Sequence, residues 1–333
     1  MANSEGNLPW QAERGIRGRA RGCLAGLLIG DALGSQVEFA DPQAIRRCFP
    51  DGLRDMGPSR VWGTLAGQPT DDGEMALALA RAMCALGSYH PDEALGAYRA
   101  WALSHPFDMG GTVRAGLFGT RNFRSEANGA LMRAAPLALP GAGGDFARCE
   151  DWAEQDALLT HPAPTCLAAN RLYVGLMARA VAGASREALA AHTRAEATAP
   201  DFPPRLSACV LASFEAPPED YLTHAGHALV ALQHALWCAW QEQSVEDLLV
   251  RTIMEGGDSD TNAAITGALL GAMHGIEAFP SAWLATVLAC RPAAGLPDVE
   301  QPRPPRYWPG DCLELADVLS GWASEAVVPI ARA

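Results

Sequence analysis

Apolar positions recur three and four residues apart along most of this chain, and the strict apolar–polar alternation of half-buried strands is scarce. Alanine, leucine, arginine and glutamate, all good helix formers, fill these stretches. The spacing predicts helices over 16–33, 74–86, 91–104, 111–119, 150–159, 164–182, 185–195, 224–240, 245–255, 261–275 and 280–290. The segments between them are polar or rich in glycine and proline, most clearly 140–144, 199–204 and 291–308. The last is proline-rich and is predicted to run extended over the surface. No break has the composition of a long flexible interdomain linker, and no repeat of fixed period is present. The expectation is one compact all-α domain over 15–325, preceded by a polar arm over 1–14.

Two of these helices carry small residues at close-packing spacing. Gly22, Ala25, Gly26, Gly30 and Gly34 mark the first, and Ala263, Ala264, Gly267, Ala268 and Gly271 the one over 261–275. A glycine inside a helix costs about 0.5–1 kcal/mol relative to alanine. Its repetition predicts that both helices approach other backbones closely. The later helix begins just after Asp260, so its packing would hold that residue rigidly.

Composition narrows the function classes. Hydrophobic residues make up 49% of 333 positions, enough to bury a substantial core. The formal net charge of -13 argues against a nucleic-acid backbone as partner, which needs a basic footprint. All 25 basic residues are arginine, which excludes a Schiff-base lysine and the P-loop lysine. The nine cysteines contain no CxxC pair and sit in apolar contexts, so they read as reduced core residues of a cytoplasmic protein. His224, His227 and His234 follow helical spacing without acidic partners and read as helix-face residues, not a zinc site. The N-terminus lacks the apolar core of a signal peptide, and no stretch matches the roughly 20 apolar residues of a membrane span.

Two clusters carry the chemistry. Thr70-Asp71-Asp72 and Asp258-Ser259-Asp260-Thr261 each crowd oxygen ligands at a predicted helix start. Capping is the plain alternative, because Asp, Ser and Thr are preferred there. A cap needs one residue, however, and the surplus carboxylates repel one another unless a cation neutralises them. Taken together, the clusters favour metal binding over capping. Oxygen-only acidic ligands suit Mg²⁺ or Mn²⁺, and no EF-hand loop supports Ca²⁺. If the fold joins the clusters, they can hold two ions and form a hydrolytic site.

The order of motifs resembles the ADP-ribosylglycohydrolases, the family that includes the dinitrogenase-reductase-activating glycohydrolase and the ADP-ribosylarginine hydrolases. The motifs are Gly30-Asp31-Ala32-Leu33-Gly34 followed by Glu38, then Thr70-Asp71-Asp72, Asn128-Gly129-Ala130-Leu131-Met132-Arg133, His161, and Gly257-Asp258-Ser259-Asp260-Thr261-Asn262. The resemblance implies an all-α, single compact orthogonal helical domain with two Mg²⁺ or Mn²⁺ ions. It implies that Thr70, Asp71, Asp72, Asp258, Asp260 and Thr261 are ligands, with Glu38 beside them and Asp31 behind them. Two positions depart from the family pattern: Gly73 stands where many members have threonine, and Ala130 where serine is common.

The resemblance also assigns the substrate side. Asn128, Gly129 and Ala130 would approach the pyrophosphate of ADP-ribose, and His161 its distal part. Asp108 stands where arginine-specific members carry an aspartate facing the guanidinium, a planar fork that a carboxylate matches. The implied reaction is metal-dependent hydrolysis of the N-glycosidic bond between ADP-ribose and protein arginine. Glu38 or a ligand aspartate such as Asp258 would act as general base, and Asp108 would hold the leaving group. The alternatives are another ADP-ribose conjugate (serine-, nucleobase- or metabolite-linked), a non-catalytic ADP-ribose binder, or a bulk structural protein. The protein partner is not legible.

Overall fold

The structure is a computed structural model that describes residues 9–325, with side chains described over 15–322. The described residues form α1 (Pro9–Gly34), α2 (Pro42–Cys48), α3 (Asp71–Leu86), α4 (Pro91–Ala102), α5 (Gly111–Phe118), α6 (Ala135–Ala138), α7 (Phe146–Thr160) and α8 (Pro164–Val181). They continue as α9 (Arg186–Ala197), α10 (Pro204–Ala212), α11 (Ala228–Ala239), α12 (Val245–Met254), α13 (Ser259–His274), α14 (Ser281–Ala289) and α15 (Cys312–Glu325). Among the described residues there is no strand, only an isolated bridge between Ala127 and His227. The fold is all-α, as the periodicity predicts.

The small-residue stripes of α1 and α13 face each other. A Cβ placed on Gly22 would stand 2.6 Å from the Gly271 carbonyl oxygen, one on Gly26 2.2 Å from that of Gly267, and one on Gly30 2.0 Å from that of Ala263. The order of these pairs makes the helices antiparallel, with backbone against backbone at four-residue steps. The last step brings Gly34 against Ser259, whose hydroxyl donates to the Gly34 carbonyl at 2.8 Å. The end of α1 therefore meets the start of α13. Residues 259–272 of α13 are buried on every side, with α8, α11 and α12 also packing against it.

Several expectations need correction. Residues 1–8 of the arm lie outside the described residues, and Pro9 to Arg14 continue α1. The helix expected over 224–240 begins only at Ala228, with the His227 side chain accepting from the Leu229 N–H. His224 lies in the preceding turn, and His234 is fully buried between Tyr221 and Thr252. Helices α2, α6, α10 and α15 were not anticipated. The segment 291–308 is anchored rather than merely laid on the surface: Arg303 is buried and forms a 2.7 Å ion pair with Glu74, and Tyr307 is buried beside it.

Candidate active site

Asp31, one turn before the end of α1, organises the first acidic cluster. Its carboxylate accepts from the Thr70 N–H at 3.0 Å, the Thr70 hydroxyl at 2.8 Å and the Gly73 N–H at 2.9 Å. Asp31 thus satisfies the first turn of α3 from outside, and Thr70 makes no side-chain cap bond of its own. Asp71 and Asp72 are released from capping. The same holds at α13, where Asp258 occupies the cap position without capping and instead accepts from the Asn128 amide at 2.6 Å. Neither Thr70 nor Asp258 caps its helix with its side chain, and in the first turn of α13 only Asp260 accepts a backbone N–H, that of Thr261 at 2.8 Å.

The fold joins the clusters. Asp72 Oδ2 accepts from the Thr261 hydroxyl at 3.3 Å, so one carboxylate oxygen links α3 to α13; the Thr70 hydroxyl, whose proton goes to Asp31, lies 3.3 Å from the same oxygen. Its other oxygen is buried without a partner. One carboxylate oxygen from each of Glu38, Asp258 and Asp260 lies within 4.8 Å of the others. Asp71 lies against the Gly110 N–H and the Asp108 carboxyl. Among the described residues no ion pair joins these six carboxylates to an arginine or histidine. Glu74, adjacent in sequence, differs: Arg303 and the Trp101 indole answer its charge.

Burial raises the proton affinity of the whole group, and mutual repulsion adds to it. Glu38 is pushed up to about 7 by burial, with Asp258 and Asp108 adding to the rise. Asp31 also reaches about 7 through burial, despite its three donors. Burial raises Asp71, Asp72 and Asp260 well above the ordinary carboxylate range, with like charges contributing. Buried like-charged oxygens, one of them orphaned, with no protein cation among them, fit hard divalent ions.

A cavity of about 300 Å³ opens over the cluster. Glu38, Asp71, Asp108, Asn128, Gly129, His161, Asp258, Asp260 and Thr261 line it. Thr70 and Asp72 lie behind its wall, and Ala130 is buried without lining it. A cavity of similar volume beside α9 lacks this character, since its Glu150 pairs with Arg179 and Arg171.

Trp62 escaped the sequence reading. Its indole N–H donates to Glu38 Oε2, and its ring tilts against Phe107 with centroids 6.0 Å apart. It connects Glu38 to the loop that carries Asp108. A tryptophan stranded in a glycine-containing loop, outside any helical stripe, was the available signal.

The family profile described as ADP-ribosylglycohydrolase matches residues 12–308. The chain belongs to the ADP-ribosylglycohydrolase family. An ADP-ribosyl-dinitrogen reductase glycohydrolase of Rhodospirillum rubrum is 31% identical, with 81% of this chain and 90% of that protein covered. The ADP-ribosylarginine hydrolase Tri1 of Serratia proteamaculans is 27% identical over 80% of this chain and 74% of its own length. A solved structure titled ADP-ribosylglycohydrolase-related protein complex superposes with a TM-score of 0.75 at 28% identity, covering 93% of this chain and 99% of that one. Family membership makes this chain a glycohydrolase of ADP-ribose conjugates. Its glycine at position 73 does not loosen α3. The Gly73 N–H is bonded to Asp31, and a Cβ there would stand 2.6 Å from that carboxylate.

Proposed function

We propose that this ADP-ribosylglycohydrolase cleaves the N-glycosidic bond between ADP-ribose and protein arginine, reversing mono-ADP-ribosylation. The reading takes 15–325 as the catalytic unit. One observation carries it: buried carboxylates with no cationic partner among the described residues converge beneath a cavity that also contains Asp108. Thr70, Asp71, Asp72, Asp258, Asp260 and Thr261 would hold two Mg²⁺ or Mn²⁺. Such ions supply charge that orients the ribose hydroxyls and acidifies water.

The chain's own residues do the rest. Glu38, held by Trp62, takes a proton from the attacking water. The water oxygen bonds to the anomeric carbon as the carbon–nitrogen bond breaks, and the electron pair leaves on the guanidine. Asp108, whose carboxyl burial raises, gives the leaving nitrogen its proton and faces the resulting guanidinium. The acidic surroundings favour the positive charge that develops on the sugar. The Asn128–Gly129 turn approaches the pyrophosphate with the Gly129 N–H, since that of Asn128 is spent on the Gly226 carbonyl at 2.9 Å.

The test is release of free ADP-ribose from an arginine-ADP-ribosylated protein, with Mg²⁺ or Mn²⁺ and again with EDTA. Metal-dependent release is expected, and Asp258→Asn with Asp260→Asn should abolish it. Undiminished turnover in that double variant would remove the proposed site. Release from a serine-linked but not an arginine-linked conjugate would replace the substrate.

A further inference from the structure

The wall of the cavity beside Gly129 contains a buried polar relay that the proposed reaction does not use. Arg133 is fully buried, and four of its five N–H groups are bonded. Nε donates to Asp156 at 2.9 Å and Nη1 to the Gly129 carbonyl at 3.4 Å. Nη2 divides its two protons between the Asp156 carbonyl at 3.0 Å and the Thr160 hydroxyl oxygen at 2.9 Å. An arginine can only donate, so Thr160 accepts from it. The hydroxyl proton of Thr160 then needs an acceptor. Among the described residues the other partner of that oxygen is His161 Nδ1, at 2.8 Å.

The direction of that bond decides where the imidazole carries its proton. If Thr160 donates to Nδ1, the neutral ring is protonated at Nε2. The ring is neutral: burial, with the Arg133 charge adding, holds His161 down to about 3. Its Nε2 is buried and has no partner, yet the ring lines the cavity beside Gly129. A buried donor left unpaired is unfavourable, and a ligand oxygen would remove that cost.

We propose that Thr160, itself fixed by Arg133, is a positioning residue that locks His161 as the Nε2–H tautomer, so that the ring offers the cavity a donor and selects an acceptor oxygen such as one of a diphosphate or ribose. The naming of that oxygen rests on the proposed function; the tautomer does not. Arg133 holds the Gly129 carbonyl as well, so one buried cation fixes both the turn and the imidazole that face the same ligand.

The test reads the ring and the ligand separately. In ¹⁵N-labelled protein at neutral pH, His161 is expected to show the Nε2–H pattern in the absence of ligand. An Nδ1–H ring overturns the proposal, whatever the protein binds. With free ADP-ribose as probe, Thr160→Val is expected to weaken binding about tenfold, and Thr160→Ser to restore it. In a His161→Gln background, where the amide supplies its own donor, Thr160→Val should have little further effect. Additive losses across that cycle overturn the positioning role. Should Thr160→Val fail to fold, the wild-type tautomer and Thr160→Ser still decide. A wild-type protein with the Nε2–H ring but no affinity for ADP-ribose would instead remove the proposed ligand.

Discussion

At the residue scale, two buried aspartates of similar chemistry meet different partners. Asp31 accepts three hydrogen bonds from the start of α3 and is spent on structure. Asp260 accepts from its neighbouring Thr261 N–H and faces Glu38, Asp72 and Asp258, which repel it. Replacing Asp31 by asparagine turns an amide toward groups that only donate or already donate, and should cost about 1–3 kcal/mol. Replacing Asp260 by asparagine removes a charge that meets four like charges and a single backbone donor. In EDTA, Asp260→Asn should melt higher than wild type, and it should lose the rise in melting temperature expected of wild type in Mg²⁺. Thermal unfolding of both variants with and without Mg²⁺ checks the contrast. An Asp260→Asn protein less stable than wild type in EDTA would show that its carboxylate is structural.

At the element scale, the contact of α1 with α13 aligns the site, and it tolerates no added volume. A Cβ on Gly26 would press on backbone at 2.2 Å, whereas one on Gly18, in the same helix, meets nothing within 4 Å. Gly26→Ala should therefore destabilise by at least about 1–3 kcal/mol, the usual range for overpacking. Gly18→Ala should stabilise by about 0.5–1 kcal/mol through helix propensity alone. Urea unfolding of the pair separates close packing from propensity, and equal signs would defeat the argument. The stripes that carry this contact were readable in the sequence, because repeated glycine in a helix has few other causes. Long amphipathic helices were readable too, to within a few residues at most ends. The misses were short or hidden: α6 spans four residues, and α10 and α15 each follow proline-rich segments that read as breaks. In the site, the crowded oxygens were legible but the pairing of charges was not. Glu74 looks like a third member of the Asp71-Asp72 group until Arg303, 229 residues away, pairs with it. Trp62 on Glu38, and Arg133 behind His161, are likewise contacts that only the fold creates.

At the scale of the whole molecule, these groups set how stability responds to pH, and two sets act in opposite directions. Asp31 and Glu38 are raised to about 7, and Asp71, Asp72 and Asp260 also lie well above the ordinary range. A group raised on folding stabilises below its unfolded pKa of about 4, and that contribution is lost as pH rises through the folded value. His161 and His234 are lowered to about 3 by burial. They stabilise above about 6.5, and that contribution is lost as pH falls toward 3. In EDTA, the carboxylates erode stability from about pH 4 upward and the two histidines erode it from about pH 6.5 downward, so the molecule is weakened on both sides. A divalent cation held as proposed would act on only one of them. It would bind the ionised carboxylates and therefore compete with protons for the same oxygens. At a free concentration 100 times its dissociation constant it would add about 2.7 kcal/mol. Its gain in melting temperature should accordingly be large at pH 8 and small at pH 5, where the ligands keep their protons. Calorimetry at both pH values, in Mg²⁺ and in EDTA, measures the two gains directly. Equal gains would mean that the cation binds somewhere other than these carboxylates. A gain confined to pH 8 and absent from Asp260→Asn would locate it among them.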